Sequence, residues 1–356
     1  MPVEMIGWVA PQVSSEILDP QGPVFCPDTV ARTAKLHEDA GFDRVLVGYF
    51  THAPDGFIIA THAATATERL SFLIAHRPGF VSPTLAARKF ATLDQLTRGR
   101  VAVHIISGGS DADQAKDGDY AAHADRYRRS AEYIEVLKKA WMEPGSFDHH
   151  GDFYRVDGAY SQIGCFQDPR IPVYGGGGSD SAVAELSPHI DVFMLWGEPL
   201  DATSEFMQRV RQAASATQNP ITFSLSTRPI LADTEGKAWD KARDIFKRIQ
   251  ARLPNGAPTP QNVGSQRLLD AAAAADIHDS CLFMELATAA GARGNSTALV
   301  GTPDTVANAM LRYYQLGATS LLIRGYDPVP DTVQYGQELI PKVRELIAAE
   351  DAELPG

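Results

Sequence analysis

The sequence predicts a (β/α)8 barrel with insertions, and three observations point to this α/β fold. Short runs rich in Val, Ile, Leu and Phe alternate with longer segments of helical period, as repeated βα units require. The runs are apolar throughout, which indicates strands that are covered on both faces. The chain has 356 residues, 44% hydrophobic and 21% charged, enough to bury one large core. We expect a single domain over residues 1–356.

Eight predicted strands account for the barrel. Each is a short run dominated by branched aliphatic and aromatic residues and bounded by polar or glycine-containing segments. In chain order they are 5–10, 43–49, 70–76, 101–107, 171–176, 192–197, 221–231 and 319–325.

Helical segments separate these strands, and several have recognisable ends. Ser82 and Thr302 each precede a proline, which places a capping hydroxyl before a proline in the first helical turn. Gly41, Gly99 and Gly317 follow helices where a left-handed residue is favoured. The predicted helices are 28–41, 57–67, 83–97, 121–142, 180–188, 201–217, 235–251, 303–316 and 331–350.

The alternation breaks at about 252–300. There LPNGAPTPQN precedes an Ala-rich helix, and GARGNSTALVG follows it. An insertion of this length is more often functional or mobile than idle. We therefore expect an insertion region at 252–300, with a lid at 287–298.

Charge and hydropathy exclude several classes of partner. The formal net charge is −12 and no Lys/Arg-rich run occurs, which argues against nucleic acid. The start, MPVEMIGWVAPQ, lacks the pattern of a signal peptide, and no apolar stretch approaches membrane-spanning length. We expect a cytoplasmic protein with no membrane partner.

Metal and protein-nucleophile chemistry have little support in the sequence. The three cysteines, Cys26, Cys165 and Cys281, are scattered and far from any CxxC spacing, so neither disulfides nor a thiolate metal site is expected. HExxH and GxSxG are both absent, and His149 and His150 lie in a polar stretch. We expect no metal.

The active site of such a barrel forms at the carboxyl ends of its strands. Polar or glycine residues follow nearly every predicted strand, which makes them the first candidates. They are Gln12, Tyr49, Thr51, His52, His76, Arg77, Ser107, Gly108, Gly109, Gly177, Gly178, Ser179, Trp196, Glu198, Ser226, Thr227, Arg228, Arg324 and Tyr326.

The run GGGGSDS at 175–181 follows the fifth strand and opens a helix. Its backbone amides could approach an anion, and the positive end of the helix would assist them. The alternative is a flexible turn. Four glycines followed by Ser-Asp-Ser at a helix start favour the anion site, and phosphate is the natural ligand.

A histidine and a tyrosine lie four residues apart at the start of the fourth long helix. His123 and Tyr127 could reach the same phosphate from another direction. A surface histidine above a packing tyrosine is at least as common an arrangement. Spacing alone therefore leaves this pair open.

Three arginines with apolar neighbours are further candidates. Arg228 and Arg324 lie toward the carboxyl ends of predicted strands, and Arg293 lies in the insertion, so the three could converge on an anion. The alternative is pairing with local carboxylates, and for Arg324 the neighbour Asp327 makes that equally plausible. Trp196 could line a pocket or simply pack at the barrel mouth.

An anion-binding turn without a protein nucleophile or metal points to an organic cofactor. The chain resembles the bacterial-luciferase-like flavin monooxygenases, and among them it most resembles the FMNH2-dependent alkanesulfonate monooxygenases. The resemblance spans nearly the whole chain. Its most specific blocks are RLSFLIAHRPGFVSPTLAARKFATLDQLTRGR (69–100), HADRYRRSAEYIEVLKKAW (123–141), GDFYRVDGA (151–159), YGGGGSDSAVAEL (174–186), LWGEP (195–199), NVGSQR (262–267), STALVGTPDTVA (296–307) and GYDPVPDTVQYGQELIP (325–341).

The resemblance implies roles for particular residues. The expected cofactor-binding residues are Ser107, Gly108, His123, Tyr127, Gly178, Ser179 and Asp180. Trp196, Arg293 and Tyr326 match positions of the catalytic pocket, and Arg228, a candidate from the buried-arginine argument above, completes the expected catalytic residues. His52 and Arg324, at strand ends, are expected to bind substrate.

The resemblance also implies a reaction. In such enzymes a separate NAD(P)H-dependent FMN reductase supplies reduced FMN. With O2, the reduced flavin converts an organosulfonate to an aldehyde and sulfite, a step of sulfur metabolism. A homo-oligomer, dimer or tetramer, is expected.

The chain departs from the alkanesulfonate pattern at four places. Ala53 occupies the position of a cysteine in those enzymes, and Ser-Thr-Arg at 226–228 occupies the position of their Arg-x-His. Near the last strand, Pro328 replaces a histidine and Arg324 replaces a serine. The pocket keeps its cationic character but redistributes it, which suggests a related anion: a bulkier or hydroxylated sulfonate, such as a sulfosugar. The alternatives are oxidation of a sulfone, an amine or a heterocycle, a deazaflavin-dependent oxidoreductase, and a non-catalytic flavin-binding protein.

Overall fold

The barrel is built from eight strands, which the described residues outline completely. The computed structural model describes residues 3–253, 256, 260, 262–294 and 296–353. Its elements in chain order are β1 (Glu4–Val9), α1 (Pro27–Asp39), β2 (Arg44–Val47), α2 (Gly56–Thr65), β3 (Ser71–His76), α3 (Pro83–Thr97), β4 (Val101–Ile105), α4 (Asp111–Lys116), α5 (His123–Met142), β5 (Phe147–His150), β6 (Arg155–Ala159), β7 (Val173–Gly176), α6 (Asp180–Leu186), β8 (Val192–Trp196), α7 (Leu200–Ser215), β9 (Thr222–Leu231), α8 (Glu235–Arg252), α9 (Val263–Ala274), β10 (Ile277–His278), β11 (Leu282–Phe283), α10 (Glu285–Ala290), β12 (Ala298–Gly301), α11 (Pro303–Leu316), β13 (Ala318–Ile323), α12 (Pro328–Gln334) and α13 (Ile340–Glu353).

Parallel pairing closes the barrel in the order β1, β2, β3, β4, β7, β8, β9, β13 and back to β1. In the strand register, Ile6 of β1 lies opposite Arg44 of β2 on one side and opposite Leu322 of β13 on the other. The predicted (β/α)8 fold and all eight predicted strands are therefore confirmed.

The barrel interior is layered. At the amino-terminal end, Glu4 accepts hydrogen bonds from Arg44 Nε (2.7 Å), Tyr174 (3.0 Å) and Ser320 (3.0 Å). An apolar layer lies above this polar group and includes Ile6, Leu46, Leu73, Ala102, Val192 and Leu322. These two layers fill the lower barrel, and the barrel cavity opens toward the carboxyl ends of the strands.

A hairpin that the sequence analysis did not predict follows α5. Strands β5 and β6 pair antiparallel, with His150 opposite Arg155. Their residues are mostly exposed or half-buried, so FDHH and RVDGA lack the apolar runs that mark a strand.

The last predicted helix, 331–350, was wrong as a continuous α-helix. Helix α12 ends at Gln334, a π-helical turn occupies Tyr335–Leu339, and α13 follows. Gly336 lies in that turn against the backbone of Ala40, where a Cβ would be 2.6 Å from the carbonyl oxygen. Close packing on the end of α1 accompanies the irregular turn, and amphipathic period cannot reveal it.

The predicted insertion region, 252–300, contains more structure than expected. Its Ala-rich helix is α9, and β12 pairs parallel with β9 while β11 pairs antiparallel with β12. Residues 254–255, 257–259, 261 and 295 of this region lie outside the described residues. Lid movement of 287–298 stays a prediction.

Among the described helices, none has both the length and the apolar character that a bilayer crossing requires.

Candidate active site

A cavity of about 690 Å³ opens at the carboxyl ends of the barrel strands. This is the size of a pocket that holds a cofactor or a small ligand. Its lining comes from the ends of β1, β2, β3, β4, β7, β8, β9 and β13, the first turns of α5 and α9, and the loop after α10. Nine of the thirteen residues to which the sequence analysis gave a cofactor, catalytic or substrate role line it: Ser107, Gly108, His123, Tyr127, Gly178, Ser179, Trp196, Arg293 and Arg324.

One end of the cavity is formed by tightly packed glycines. A Cβ on Gly178 would lie 2.7 Å from the backbone nitrogen of Gly264, and one on Gly177 would lie 2.6 Å from the hydroxyl oxygen of Tyr127. Gly177 also has a φ of 155°, which favours glycine. Larger residues at these positions would close the space that a ligand needs, so the glycine run has a structural reason.

Three helices begin at this glycine end. Helix α5 starts at His123, α6 at Asp180 and α9 at Val263, and all three starts adjoin residues that line the cavity. The amino ends of helices carry partial positive charge and free backbone N–H groups. Ser179 and Asn262 cap two of them by accepting from the backbone nitrogens of Ala182 (3.2 Å) and Ser265 (2.8 Å). The glycine end is therefore suited to an anion such as phosphate.

Two side chains complete the glycine end. The rings of His123 and Tyr127 pack edge to face with centroids 5.2 Å apart. The hydroxyl of Tyr127 forms a hydrogen bond with Ser179, and burial raises the pKa of this tyrosine. Tyr127 is therefore a neutral hydroxyl at neutral pH.

The side chain of Asp180, by contrast, does not line the cavity. Its carboxylate is 96% exposed and forms an ion pair with Arg209. Asp180 contributes the first helical position of α6 to the site, while its charge faces solvent.

A turn after β4 forms the wall beside the glycine end. Ser107 Oγ and Ser130 Oγ are 2.9 Å apart, and Gln114 Nε2 donates to the carbonyl oxygen of Ser107 (2.9 Å). Gly108 has a φ of 84°, and a Cβ there would overlap the Gln114 side chain. The turn is therefore fixed by buried hydrogen bonds and exposes backbone to the cavity.

Strand β4 also places a histidine against the cavity. Burial lowers the pKa of His104 to about 4, which keeps the imidazole neutral at neutral pH. Its Nδ1 is buried and has no hydrogen-bond partner among the described residues. Buried polar atoms without partners are uncommon, which marks His104 as a candidate ligand contact.

The wall formed by β2 and β3 is tied to the short helix α4. The guanidinium of Arg77 lies 4.5 Å from the ring centroid of Tyr49 and donates to Asp113 (3.2 Å). Tyr49 donates to Asp117 (2.7 Å), and burial with this carboxylate raises the pKa of Tyr49 to about 12. Arg77 is thus a cavity-lining cation whose charge is already balanced.

Two charged side chains, Glu16 and Arg324, line the cavity on the β1 and β13 side of the barrel, across from β7, and we call this the charged end. The Arg324 guanidinium lies 5.2 Å from the ring centroid of Trp8, and it forms no ion pair with any described residue. Burial and the neighbouring Arg228 lower the pKa of Arg324. Arg293 is exposed at the mouth and likewise lacks an ion pair among the described residues.

Arg228 lies behind the charged end and is fully buried. Its Nη1 and Nη2 donate to Glu16 Oε1 (2.9 Å) and Oε2 (3.0 Å), and Nε and Nη2 also donate to the carbonyl oxygens of Arg324 and Gly325. The guanidinium stacks 3.7 Å from the ring centroid of Tyr326, which is 2% exposed. Neither Arg228 nor Tyr326 lines the cavity, and their expected catalytic role stays a prediction.

Glu16 is held in the ionised state by its surroundings. Burial opposes ionisation, but Arg228 and Arg324 outweigh it and lower the pKa of Glu16 to about 2. At neutral pH the carboxylate is a hydrogen-bond acceptor and not a proton donor.

Among the residues given a role from the sequence, His52 also lies outside the cavity lining. Its exposed ring lies 5.9 Å from that of Phe50, and Phe50 is the side chain that reaches the cavity. A contact between His52 and substrate has no support in this geometry.

Sequence reasoning missed Glu16 and His104. The inward parity of Ala102 and His104 along β4 could have revealed the histidine. Glu16 lies in the loop after β1, and only the position of Arg228, 212 residues away, identifies it.

The described residues contain no group of three or more His, Cys, Asp and Glu side chains placed to hold a metal ion.

The family comparison agrees with the geometry. A family described as luciferase-like monooxygenase matches residues 5–320 of the chain.

Solved structures share the fold. Riboflavin lyase, solved with modified FMN and riboflavin, superposes with a TM-score of 0.78 at 19% identity over 97% of this chain and 92% of that one. EDTA monooxygenase from Chelativorans sp. superposes with a TM-score of 0.76 at 16% identity, over 100% of this chain and 95% of that one. Long-chain alkane monooxygenase gives 0.77 at 17% identity over 97% and 92%. At these identities the likeness establishes the fold.

Proposed function

The chain belongs to the luciferase-like monooxygenase family, and on that premise we propose that it is a two-component flavin-dependent monooxygenase. It uses reduced FMN and O2 to convert an anionic organosulfonate to an aldehyde and sulfite. A separate NAD(P)H-dependent FMN reductase supplies the reduced flavin. The overall reaction consumes one sulfonate, one FMNH2 and one O2, and it releases one aldehyde, one sulfite, one FMN, one water and one proton.

The residues present fit a phosphorylated flavin. The glycine end would hold the phosphate through backbone N–H groups of 177–179 and the hydroxyls of Tyr127 and Ser179. The turn at Ser107 and Gly108 would lie against the flavin ring, because it exposes backbone in the same cavity. When bound, the reduced flavin supplies the two electrons that O2 chemistry requires.

The charged end would bind the substrate. Arg324 can donate to the sulfonate from the side of β13, and Arg293 can donate from the mouth. Trp8, Met194 and Trp196 provide apolar surface that excludes water from the reacting groups.

One observation carries the choice of an anion. The other charges of the cavity lining are balanced: Glu16 by Arg228, Glu198 by Arg267 and Arg77 by Asp113. Arg324 and Arg293 are the lining cations that no described carboxylate neutralises. A cavity with two uncompensated guanidinium groups favours a negatively charged substrate. The choice of sulfonate among anions comes from the sequence resemblance to alkanesulfonate monooxygenases.

A substrate panel tests the proposal. The protein, an FMN reductase, NADH, FMN and O2 are incubated with linear, hydroxylated and amino-substituted sulfonates, and sulfite is measured. We expect sulfite from at least one sulfonate, and none when O2 is withheld. If no sulfonate yields sulfite, or if the protein binds a deazaflavin more tightly than FMN, the proposal is wrong.

A further inference from the structure

We infer that Glu16 selects a substrate that carries a hydrogen-bond donor, hydroxyl or ammonium, beside its anionic group, and that Arg228 is the positioning residue that holds Glu16 for this task. The inference rests on the proposed function, because it names the class of sulfonate that the charged end accepts. On this inference the cavity offers the substrate one negative group, the Glu16 carboxylate, in addition to the two unpaired cations Arg324 and Arg293.

The first step is that Glu16 remains available to a ligand. Arg228 donates one hydrogen bond to each carboxylate oxygen, at 2.9 and 3.0 Å. A carboxylate has about four lone-pair positions, so each oxygen can accept again. The Glu16 side chain keeps 28% of its surface exposed, and the residue lines the cavity.

The second step is that Glu16 and Arg324 do not neutralise each other. Both line the cavity, and each influences the ionisation of the other. Within the described part of the chain, no ion pair of 4.0 Å or shorter joins them. One ligand can therefore contact the carboxylate through a donor and the guanidinium through an anion.

The third step concerns discrimination. An ionised carboxylate repels an anion that offers it no hydrogen bond, and it attracts one that does. Arg228 fixes the carboxylate with two hydrogen bonds, so Glu16 cannot easily turn away from the ligand. A charge-assisted hydrogen bond to a fixed carboxylate improves affinity by about ten- to a hundredfold.

The experiment compares three sulfonates of matched size. Ethanesulfonate, 2-hydroxyethanesulfonate and 2-aminoethanesulfonate are titrated into anaerobic protein with reduced FMN, and binding is followed by the fluorescence of Trp8 and Trp196. In parallel, sulfite release gives kcat/KM for each. We expect wild-type protein to bind at least one donor-bearing sulfonate ten times or more tightly than ethanesulfonate. The hydroxyl and amino arms identify which donor is preferred.

The variant Glu16→Gln removes the negative charge with little change of shape. We expect the preference for the donor-bearing sulfonate to fall at least fivefold, and ethanesulfonate to bind more tightly because repulsion is lost. Glu205→Gln, on the exposed face of α7, serves as the matched control and should keep the wild-type preference.

The outcomes separate the two proposals. Equal binding of the three sulfonates by wild-type protein overturns the inference about Glu16, and it does so even if the variant fails to fold. A clear preference in binding without sulfite from any sulfonate supports the inference and overturns the proposed desulfonation.

Discussion

Arg228 and Glu16 form a bidentate ion pair, with Nη1 to Oε1 at 2.9 Å and Nη2 to Oε2 at 3.0 Å. The pair joins the end of β9 to the loop after β1, across 212 residues of sequence. A buried guanidinium is tolerated only with such compensation, and Arg228 is fully buried. The pair forms the back wall of the charged end, so it links barrel stability to the chemistry of the cavity.

Removing Arg228 should destabilise the protein strongly. In Arg228→Met the guanidinium is lost and Glu16 keeps a largely buried charge without its partner, so we expect the free energy of unfolding to fall by about 3 to 5 kcal/mol. Urea denaturation followed by circular dichroism measures it. The variant Arg324→Met is the matched control, because it removes an unpaired cation that lies beside Arg228. The free energy of unfolding of this variant should equal that of the wild-type protein or exceed it. Equal losses in the two variants would contradict this account.

The ion pair should make stability depend on pH. The pKa of Glu16 is about 2 in the folded protein against an ordinary value of 4.5. A carboxyl whose pKa is lowered on folding stabilises the fold above its unfolded pKa, and this contribution is lost as the pH falls from about 4.5 toward 2. The contribution is about 3 kcal/mol at neutral pH.

Unfolding at pH 6, 4 and 3 for wild-type protein and Glu16→Gln measures this contribution. The stability difference between them should shrink as the pH falls. Glu38, whose pKa is also about 2, is present in both proteins and cancels in the difference. A difference that stays constant over this range would exclude the assigned ionisation of Glu16.

Gly178→Ala should weaken flavin binding. The new Cβ would lie 2.7 Å from the backbone nitrogen of Gly264, so the two loops at the glycine end must separate. We expect the Kd for reduced FMN, measured by anaerobic titration, to rise tenfold or more. Gly145→Ala is the control, since a Cβ there meets no atom within 4 Å, and its Kd should match the wild type. An unchanged Kd in Gly178→Ala would remove the glycine end from the flavin site.

Arg324→Met should raise the KM for the sulfonate and leave FMN affinity unchanged. The substitution removes a charged donor at the charged end, and an uncompensated loss of this kind costs about 2 to 3 kcal/mol, which lowers kcat/KM by about thirty- to a hundred-and-fortyfold. Steady-state sulfite release provides the measurement. Arg155→Met, whose side chain is 73% exposed on β6, is the control. If FMN affinity falls while KM is unchanged, Arg324 belongs to the flavin site.

Arg293→Ala should uncouple the reaction. Arg293 lies in a turn where Gly291, Ala292 and Gly294 all have φ between 48° and 67°, directly after α10. If 287–298 closes over the cavity, loss of Arg293 leaves the mouth open to water, and more of the O2 consumed should appear as H2O2. An oxygen electrode with a peroxide assay measures this ratio. A ratio equal to that of the wild type would show that Arg293 has no part in closure.

The barrel could be predicted from the sequence because its strands are continuous apolar runs, and such runs are typical of a parallel sheet that is covered on both faces. Hydrophobic period could not reveal β5 and β6, whose residues are polar and mostly exposed. It also missed the π-helical turn, because close packing of Gly336 on Ala40 is a tertiary effect. Local pattern therefore specified the repeated units and missed what long-range packing decides.

The glycine end was predictable for the same reason. Gly178 and Ser179 lie between a strand and the helix that follows it, so a few consecutive residues are enough to predict an anion-binding turn there. The charged end was predictable only in part: the sequence named Arg324 but not Glu16, because the partner of Arg228 depends on which loop the barrel closure brings next to β9. The sequence pointed to Arg228 as a ligand contact, whereas the fold places Glu16 between Arg228 and the cavity.

The most direct test of the central claim is the stoichiometry of a single turnover. Protein loaded anaerobically with a known amount of FMNH2 is mixed with the preferred sulfonate and O2, and sulfite is counted against FMN formed. We expect close to one sulfite per FMN in the wild-type protein, and a ratio that falls toward zero in Arg324→Met while FMN is still formed. FMN formation without sulfite in the wild-type protein, for every sulfonate that binds, would contradict it.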